Sequence, residues 1–200
     1  MSEILILYYS KNGSTEALAR EICQGVDSIK TATAKLRTVP RISTTCESIE
    51  NDIPKNGPAY VDKKDLFDCD GLILGSPTRF GNMAAELKYF FDSTSNEWLN
   101  GALEGKPAGL FTSSQSQHGG QESTLLTMAI PLLHHGMLIT GVPYSTKELS
   151  TTTGGGTPYG PSHVALNDSD EGLTQDEKVI AQTLGKRIAT IALKLKPAHS

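Results

Sequence analysis

The chain carries three short segments of polar side chains, and the first of them suits a phosphate group. It holds hydroxyl, amide, lysine and glycine residues directly before a helical pattern: Ser10, Lys11, Asn12, Gly13, Ser14 and Thr15. A phosphate there would meet backbone N–H groups, hydroxyl donors and the positive end of a helix dipole. The segment lacks the glycine patterns of nucleoside triphosphate and dinucleotide pyrophosphate sites. It therefore favours a single phosphate, with a capped tight turn as the alternative if it is taken alone.

The second and third polar segments suit a flat, polar ring. In the second, which begins at Pro77, Thr78 offers a hydroxyl, and Arg79 and Phe80 can flank a planar group. Gly81 permits close approach of the backbone. The third segment is longer than a turn between a strand and a helix requires, and its amides can bind ring carbonyls; it comprises Ser113, Ser114, Gln115, Ser116, Gln117, His118 and Gly119. Each segment alone could be an ordinary turn, but together they predict a ligand with one phosphate and a planar head, and FMN fits this description.

Alternating strands and helices are needed to bring these segments to one edge of a sheet. Apolar runs predict strands at residues 4–9, 32–39, 72–75, 107–111 and 137–140. Helical periodicity covers residues 17–26, 85–91, 124–133 and 174–195, with Ser14 or Thr15 as the first N-cap. We interpret residues 41–64 and 145–172 as polar surface connections. The alternation predicts one α/β domain over residues 1–200, with a doubly wound five-stranded parallel sheet, helices on both faces and ligands at the carboxyl ends of the strands.

Composition narrows the class of protein. The formal net charge is −4, and no basic cluster indicates a nucleic-acid partner. The cysteines, Cys23, Cys46 and Cys69, are far apart and form no CxxC pair, so we expect neither disulfides nor a metal site. The sequence shows no signal-peptide pattern and no apolar run of membrane-spanning length, which predicts a cytoplasmic protein without a membrane segment.

Five motifs, in this order and at these separations, resemble the WrbA family of flavodoxin-like quinone oxidoreductases. They are Tyr8–Ser10, Gly75–Met83, Gly119–Glu122, His134–Met137 and Gly155–Gly160. The resemblance spans nearly the whole chain, and residues 77–83 and 155–160 are its most specific parts. It implies a flavodoxin-like fold with strand order 2-1-3-4-5, FMN as cofactor, and NADH or NADPH as co-substrate. It further implies two-electron reduction of quinones by ping-pong hydride transfer, in a homotetramer whose sites are shared between subunits.

The resemblance also implies roles for individual residues. The first polar segment would hold the FMN phosphate, the second would contact the ribityl chain and the isoalloxazine, and the third would line the ring edge. His134 would reach a flavin from a neighbouring subunit or from a helix end, Trp98 would face the substrate, and Asn12 would lie near bound nicotinamide. The family often has an aromatic residue where Asn12 stands, and His118 is unusual in the third segment. No side chain is assigned as a catalytic group, because the flavin performs the hydride transfer.

Two alternatives belong to other functional classes. A flavodoxin-type carrier would shuttle single electrons between proteins, but Trp98, the segment at residues 145–172 and the absence of a marked acidic excess argue against it. A non-catalytic oligomeric scaffold that binds flavin weakly is disfavoured because all three polar segments are present. The sequence contains no recognisable pattern for a nucleotide 2′-phosphate, so it leaves NADH and NADPH both open.

Overall fold

A parallel β-sheet lies at the centre of the fold. The computed structural model describes residues 1–42, 57–165 and 172–196. Its strands are β1 (Ser2–Tyr8), β2 (Ala32–Thr38), β3 (Gly71–Pro77), β4 (Pro107–Ser114), β5 (Leu138–Ile139) and β6 (Ser162–Val164). The strand order β2-β1-β3-β4-β5 confirms the predicted order 2-1-3-4-5, and every strand pair is parallel.

Helices connect the strands and cover both faces. They are α1 (Ser14–Asp27), α2 (Lys64–Asp68), α3 (Ala85–Asp92), α4 (Ser95–Leu99), α5 (Gln121–His134), α6 (Glu148–Thr151) and α7 (Gln175–Leu195). Side chains alternate across each strand, so Leu5 and Leu74 pack towards α3 and α5, whereas Ile6 and Ile73 pack towards α1 and α7. The buried layers on the two faces explain why the strands are almost continuously apolar.

Helices α1 and α7 pack unusually closely because glycine residues lie at their contact. A Cβ atom added to Gly25 would lie 2.2 Å from the backbone oxygen of Gln182, and one added to Gly185 would lie 2.3 Å from that of Ile22. No side chain fits at either distance. The pair of glycines therefore fixes the separation of the two helices on this face of the sheet.

The structure corrects several predicted boundaries. β3 and β4 extend further than predicted, so Pro77, Ser113 and Ser114 are the last strand residues rather than loop residues. The predicted N-cap at Ser14 or Thr15 is wrong, because Gly13 occupies the N-cap with φ of 96° and no side chain caps the helix.

The polar segment 145–172, predicted to be a surface connection, contains regular structure. It contains β6, whose three residues were too few to show a period, and β6 pairs with the end of β4 beyond the short strand β5. The connections predicted at residues 41–64 and 145–172 lie partly outside the described residues, as does Cys46. Cys23 and Cys69 are free thiols.

Two features are absent from the described ranges. Within residues 1–42, 57–165 and 172–196 no helix is long and apolar enough to cross a membrane. In the same ranges no group of His, Cys, Asp and Glu residues is arranged to hold a metal ion.

Candidate functional site

A cleft of about 600 Å³ opens at the carboxyl ends of β1, β3 and β4. We call it the main cleft. Parallel strands end at the same edge of the sheet, so the three polar segments meet there, as predicted. The residues that line it are Ser10, Lys11, Asn12, Ser14, Thr15, Pro77, Thr78, Arg79, Ser113, Ser114, Gln115, Ser116, Gly119 and Ala165. Of the predicted cofactor-binding residues, those that do not line it are Gly13, Phe80, Gln117, His118 and His134.

The phosphate-binding end of the main cleft is a turn that leads into α1. The hydroxyl of Ser10 accepts a hydrogen bond from the N–H of Gly13 at 3.0 Å, which closes the turn. Gly13, with a left-handed backbone, is the N-cap of α1, and the first N–H groups of a helix have no partner within it. Lys11 adds a positive charge at the rim. This arrangement is suited to an anion.

Hydroxyl groups brace the three segments against one another. The Thr15 and Ser113 hydroxyls lie 2.9 Å apart and join α1 to β4. The Thr124 hydroxyl donates to that of Thr78 at 2.7 Å, and the Thr78 N–H donates to the Ser113 carbonyl at 2.8 Å. The walls of the main cleft are therefore linked by hydrogen bonds before a ligand enters.

Gln121 holds the third segment, and sequence reasoning missed it. Its buried side-chain amide donates to the Ser114 hydroxyl at 3.1 Å and to the Gln117 carbonyl at 3.3 Å. The Ser114 hydroxyl donates in turn to the Ser116 carbonyl at 2.8 Å. Gln121 belongs to the Gly119–Glu122 motif and starts the helix that follows Gly119 and Gly120, but the sequence assigns it no role.

The second segment ends in a strained turn. Arg79 and Asn82 exchange backbone hydrogen bonds of 2.8 and 3.1 Å, and Phe80 lies between them with φ of 53°. This left-handed conformation is uncommon for an aromatic residue, and such strain concentrates at binding sites. The Phe80 ring is fully exposed, so packing within the chain does not explain its position.

Trp98 and His134 line a second cavity of about 620 Å³, which we call the Trp98 cavity. The Trp98 indole N–H donates to the His134 carbonyl at 2.7 Å. None of the residues that line this cavity lines the main cleft. Within a single chain, therefore, the helix end does not bring His134 to the main cleft. The partly buried walls are mainly apolar and include Phe91 and Ile130.

His135, next to His134, lies deeper in the same cavity. Its Nε2 is 3.2 Å from the Thr94 hydroxyl, and its Nδ1 is buried without a hydrogen-bond partner. Burial lowers the pKa of His135, and the neighbouring Glu97 carboxylate opposes this effect only in part. His135 is therefore neutral near pH 7.

A buried, hydrogen-bonded pair of side chains, Glu177 and His163, fixes β6 and the glycine-rich turn before it. The Glu177 carboxylate lies 3.0 and 3.1 Å from Nδ1 of His163, and it also accepts the Gly155 and Thr174 N–H groups, each at 2.8 Å. The hydrogen bonds outweigh burial and hold the pKa of Glu177 below its usual range. β6 leads directly to Ala165, which lines the main cleft and donates its N–H to Ser114 at 2.8 Å.

Comparisons with known proteins identify a family and several similar proteins for this chain. Residues 3–148 match the family described as NADPH-dependent FMN reductase. An "NAD(P)H dehydrogenase (quinone)" from Chromohalobacter salexigens is 40% identical over 98% of this chain and 99% of its own length. A protein of the same description from Solidesulfovibrio magneticus is 38% identical over 96% of this chain and 98% of its own.

Among solved structures, a flavodoxin, WrbA-like protein from Agrobacterium tumefaciens superimposes with a TM-score of 0.70 at 23% identity, over 98% of this chain and all of that one. This likeness shows a flavodoxin-like fold. The match over residues 3–148 and the two full-length relatives show more: the chain belongs to the NADPH-dependent FMN reductase family.

Proposed function

We propose that this chain is an FMN-dependent enzyme that uses NADH or NADPH to reduce quinones to hydroquinones. One observation carries the proposal: the main cleft joins a helix N-terminus, a row of hydroxyl groups and a strained turn at three neighbouring strand ends. The names of the two full-length relatives support the same reaction. Their high coverage supports carrying that reaction over to this chain.

FMN fits the residues of the main cleft. Its phosphate would bind the turn between Ser10 and Thr15, where N–H groups, hydroxyls and Lys11 supply donors and positive charge. The volume of about 600 Å³ lies within the usual range of roughly 300–1,000 Å³ for small-molecule sites. The ribityl hydroxyls would meet the side chains of Thr78 and Arg79. The backbone of the third segment would then face the ring edge.

When bound, FMN supplies the redox chemistry, accepting a hydride from the nicotinamide and later delivering a hydride equivalent to the quinone in ping-pong order. The chain itself binds and orients. The braces at Thr15 and Thr124 keep the segments in place, and Gln121 restrains the third segment. Asn12, at the rim, would lie near the nicotinamide. By holding the bound cofactor and its substrate in a fixed relative orientation, these groups would lower the entropy cost of bringing the two reactants together.

We also propose that sites are shared between subunits of a homotetramer. Trp98 and His134 lie in the Trp98 cavity rather than in the main cleft, so His134 would reach a flavin held by another copy, and Trp98 would face the substrate bound at that flavin. The outer face of α5 supports assembly, because Leu126, Ile130 and Leu133 are each more than half exposed and lie on one face of the helix. An apolar stripe of this kind is typical of an interaction surface.

The reaction is tested by anaerobic stopped-flow spectroscopy of FMN-loaded protein. NADH or NADPH should bleach the visible absorbance of the flavin rapidly, and benzoquinone should restore it in one two-electron phase. If neither nucleotide bleaches the flavin while dithionite reduces it in two separate one-electron steps, the single-electron carrier is the correct reading. The cytoplasmic location predicted from the sequence stays a prediction.

Shared sites are tested by subunit complementation. Gly13→Val destroys the left-handed turn of the phosphate site, and a Trp98→Ala, His134→Ala double variant removes the second set of groups. Each variant alone should be nearly inactive, whereas co-expressed mixed oligomers should recover quinone reductase activity. Mixtures no more active than the separate variants would show that each chain builds its site alone.

A further inference from the structure

Trp98 is held at two points, one on its ring and one on its backbone. The indole N–H donates to the carbonyl of His134 at the end of α5, where the last carbonyls of a helix lack partners within it. The backbone N–H of Trp98 donates to the Thr94 carbonyl at 2.9 Å, across the first turn of α4. Because Trp98 is about half exposed, these two bonds contribute more to its position than enclosure does.

Thr94 connects the start of α4 to a buried histidine. Its hydroxyl lies 2.7 Å from the Phe91 carbonyl and 3.2 Å from Nε2 of His135, the C-cap of α5. A carbonyl can only accept, so the hydroxyl donates its proton to Phe91 and its oxygen is left to accept. Nε2 of His135 then carries the ring proton and donates it to Thr94. His135 therefore links the end of α5 to the start of α4 by a hydrogen bond of defined direction.

This arrangement leaves the other ring nitrogen of His135 unpaired. With the proton on Nε2, Nδ1 is an acceptor, and it is buried without a donor among the described residues. An unpaired buried acceptor costs free energy that an apolar group of the same shape would not cost. The ring packs edge-on against Phe91 with centroids 6.0 Å apart, a contact that needs no nitrogen. Folding stability alone therefore does not account for a histidine at this position.

The attachment matters because α4 is too short to hold itself in place. The helix has five residues, Ser95–Leu99, and a helix of that length depends on contacts with the rest of the fold. Thr94, Trp98 and His135 all line the Trp98 cavity. A shift of α4 against α5 would therefore change the wall that Trp98 presents to a ligand.

We propose that His135 is a positioning residue for quinone reduction: its hydrogen bond to Thr94 fixes α4 and thereby the Trp98 ring that faces the quinone. His135 acts through Thr94 and Trp98 and takes no part in the transfer of hydride or protons. The inference rests on the proposed function, because Trp98 is taken to face the substrate.

Steady-state kinetics of FMN-loaded variants test the proposal. His135→Phe keeps a ring but removes the donor, His135→Gln keeps an N–H donor, and Thr94→Val removes the acceptor. His135→Phe and Thr94→Val should each raise the KM for benzoquinone about fivefold, the factor that corresponds to one ordinary hydrogen bond. The kcat and the Kd of FMN should stay unchanged, and His135→Gln should restore most of the KM. The control Thr190→Val, which removes a hydrogen bond within α7, should have no effect.

Combining the two changes shows whether the side chains act together. If His135→Phe and Thr94→Val remove the same bond, the double variant should have a KM no higher than either single variant has. Urea unfolding should place the midpoint of His135→Phe close to that of wild type, because loss of the bond to Thr94 is offset by loss of the unpaired nitrogen.

Fluorescence gives a readout that does not depend on activity. Trp98 is the single tryptophan of the chain, so the tryptophan emission reports on its surroundings alone. The emission maximum and the quenching by acrylamide should change in His135→Phe and in Thr94→Val. Both quantities should return towards the wild-type values in His135→Gln.

The outcomes separate this inference from the proposed function. An unchanged KM for benzoquinone in His135→Phe and Thr94→Val overturns it, whether or not the emission changes. Additive effects in the double variant also overturn it, as would a loss of stability and FMN affinity that matches the loss of activity, since His135 would then be a general structural support. If wild type does not reduce quinones, the proposed function fails, while unchanged emission in both variants would still refute the positioning of Trp98 by His135.

Discussion

The substitution Glu177→Gln should destabilise the fold more than any other single change at the start of α7. Glu177 is 1% exposed and its partner His163 is 3% exposed, so the hydrogen-bonded pair is fully enclosed. It also completes the capping box of α7 with Thr174 and holds the Gly155 turn. Glutamine keeps the shape but removes the charge and turns one acceptor into a donor that faces other donors.

The contacts of Glu177 determine how much stability the Glu177→Gln substitution should remove. Leaving a buried donor without its acceptor costs about 1–3 kcal/mol, and the carboxylate accepts from three donors, of which the retained amide oxygen still serves some, so we expect a loss of about 3 kcal/mol. For a chain of this length about 3 kcal/mol corresponds to a fall in Tm of roughly 6–12 °C. The pKa of Glu177 is lowered in the folded state, so its contribution is complete above its unfolded pKa of about 4.3 and disappears as the pH falls through the native value.

Urea unfolding of FMN-loaded protein at fixed concentration measures this difference. The midpoint should fall with an unchanged m-value, and the gap between wild type and variant should narrow at acid pH. Asp176→Asn is the matched control, because Asp176 is also acidic, lies in the same helical turn and, among the described residues, has an exposed hydrogen bond to Thr151 in place of a buried pair. A loss below about 1 kcal/mol, or one no larger than that of the control, would refute the argument that the buried pair holds this region.

Three further predictions concern the site and the packing beneath it. Thr15→Val removes the buried brace to β4 and should weaken FMN binding about tenfold in a fluorescence titration, while Thr190→Val, which loses only a bond within its own helix, should not. Gly25→Ala should lower the free energy of unfolding, measured with urea, by about 1–3 kcal/mol, because the new Cβ overlaps the backbone of α7. The control Gln24→Ala, on the exposed face of α1, should leave the free energy of unfolding unchanged. Trp98→Ala should raise the KM for benzoquinone and leave the Kd of FMN unchanged, since Trp98 lies outside the main cleft; an equal loss of FMN affinity would contradict that placement.

The sheet was predictable because parallel strands buried on both faces leave a clear pattern. The runs that contain Ile6, Ile73 and Leu110 are nearly continuous in apolar residues, and each is followed by a polar segment and a helical period. β6 was not predictable, because three residues cannot show a period and the strand depends on pairing with the end of β4. The predicted N-cap of α1 was wrong because of another long-range contact. Thr15 has a suitable side chain for a cap, but its hydroxyl forms a hydrogen bond with that of Ser113 on β4.

The composition of the site was more predictable than its geometry. The three polar segments could be assigned to one edge of the sheet by topology alone, and the structure brings most of their residues into the main cleft. No role could be assigned to Gln121 or Ala165, because Gln121 acts through a side chain beneath the third segment and Ala165 directly follows β6. Phe80, Gln117 and His118 belong to the right segments but lie outside the lining, because a polar turn exposes some of its side chains whichever ligand it holds.

The location of the aromatic residues gives the strongest structural reason to expect shared sites. Among the described residues, the main cleft is lined by hydroxyls, amides, charged groups and small side chains, which suit the phosphate and the edge of a ring but offer no aromatic surface to a quinone. The aromatic groups assigned to the second segment and to substrate binding lie elsewhere: Phe80 points fully into solvent, and Trp98 lines a different cavity. Planar substrates bind most tightly between apolar faces. On the proposed function, a single copy therefore has the cofactor site without the substrate slot, and a second copy that packs against the exposed face of α5 is the simplest source of the missing aromatic surface.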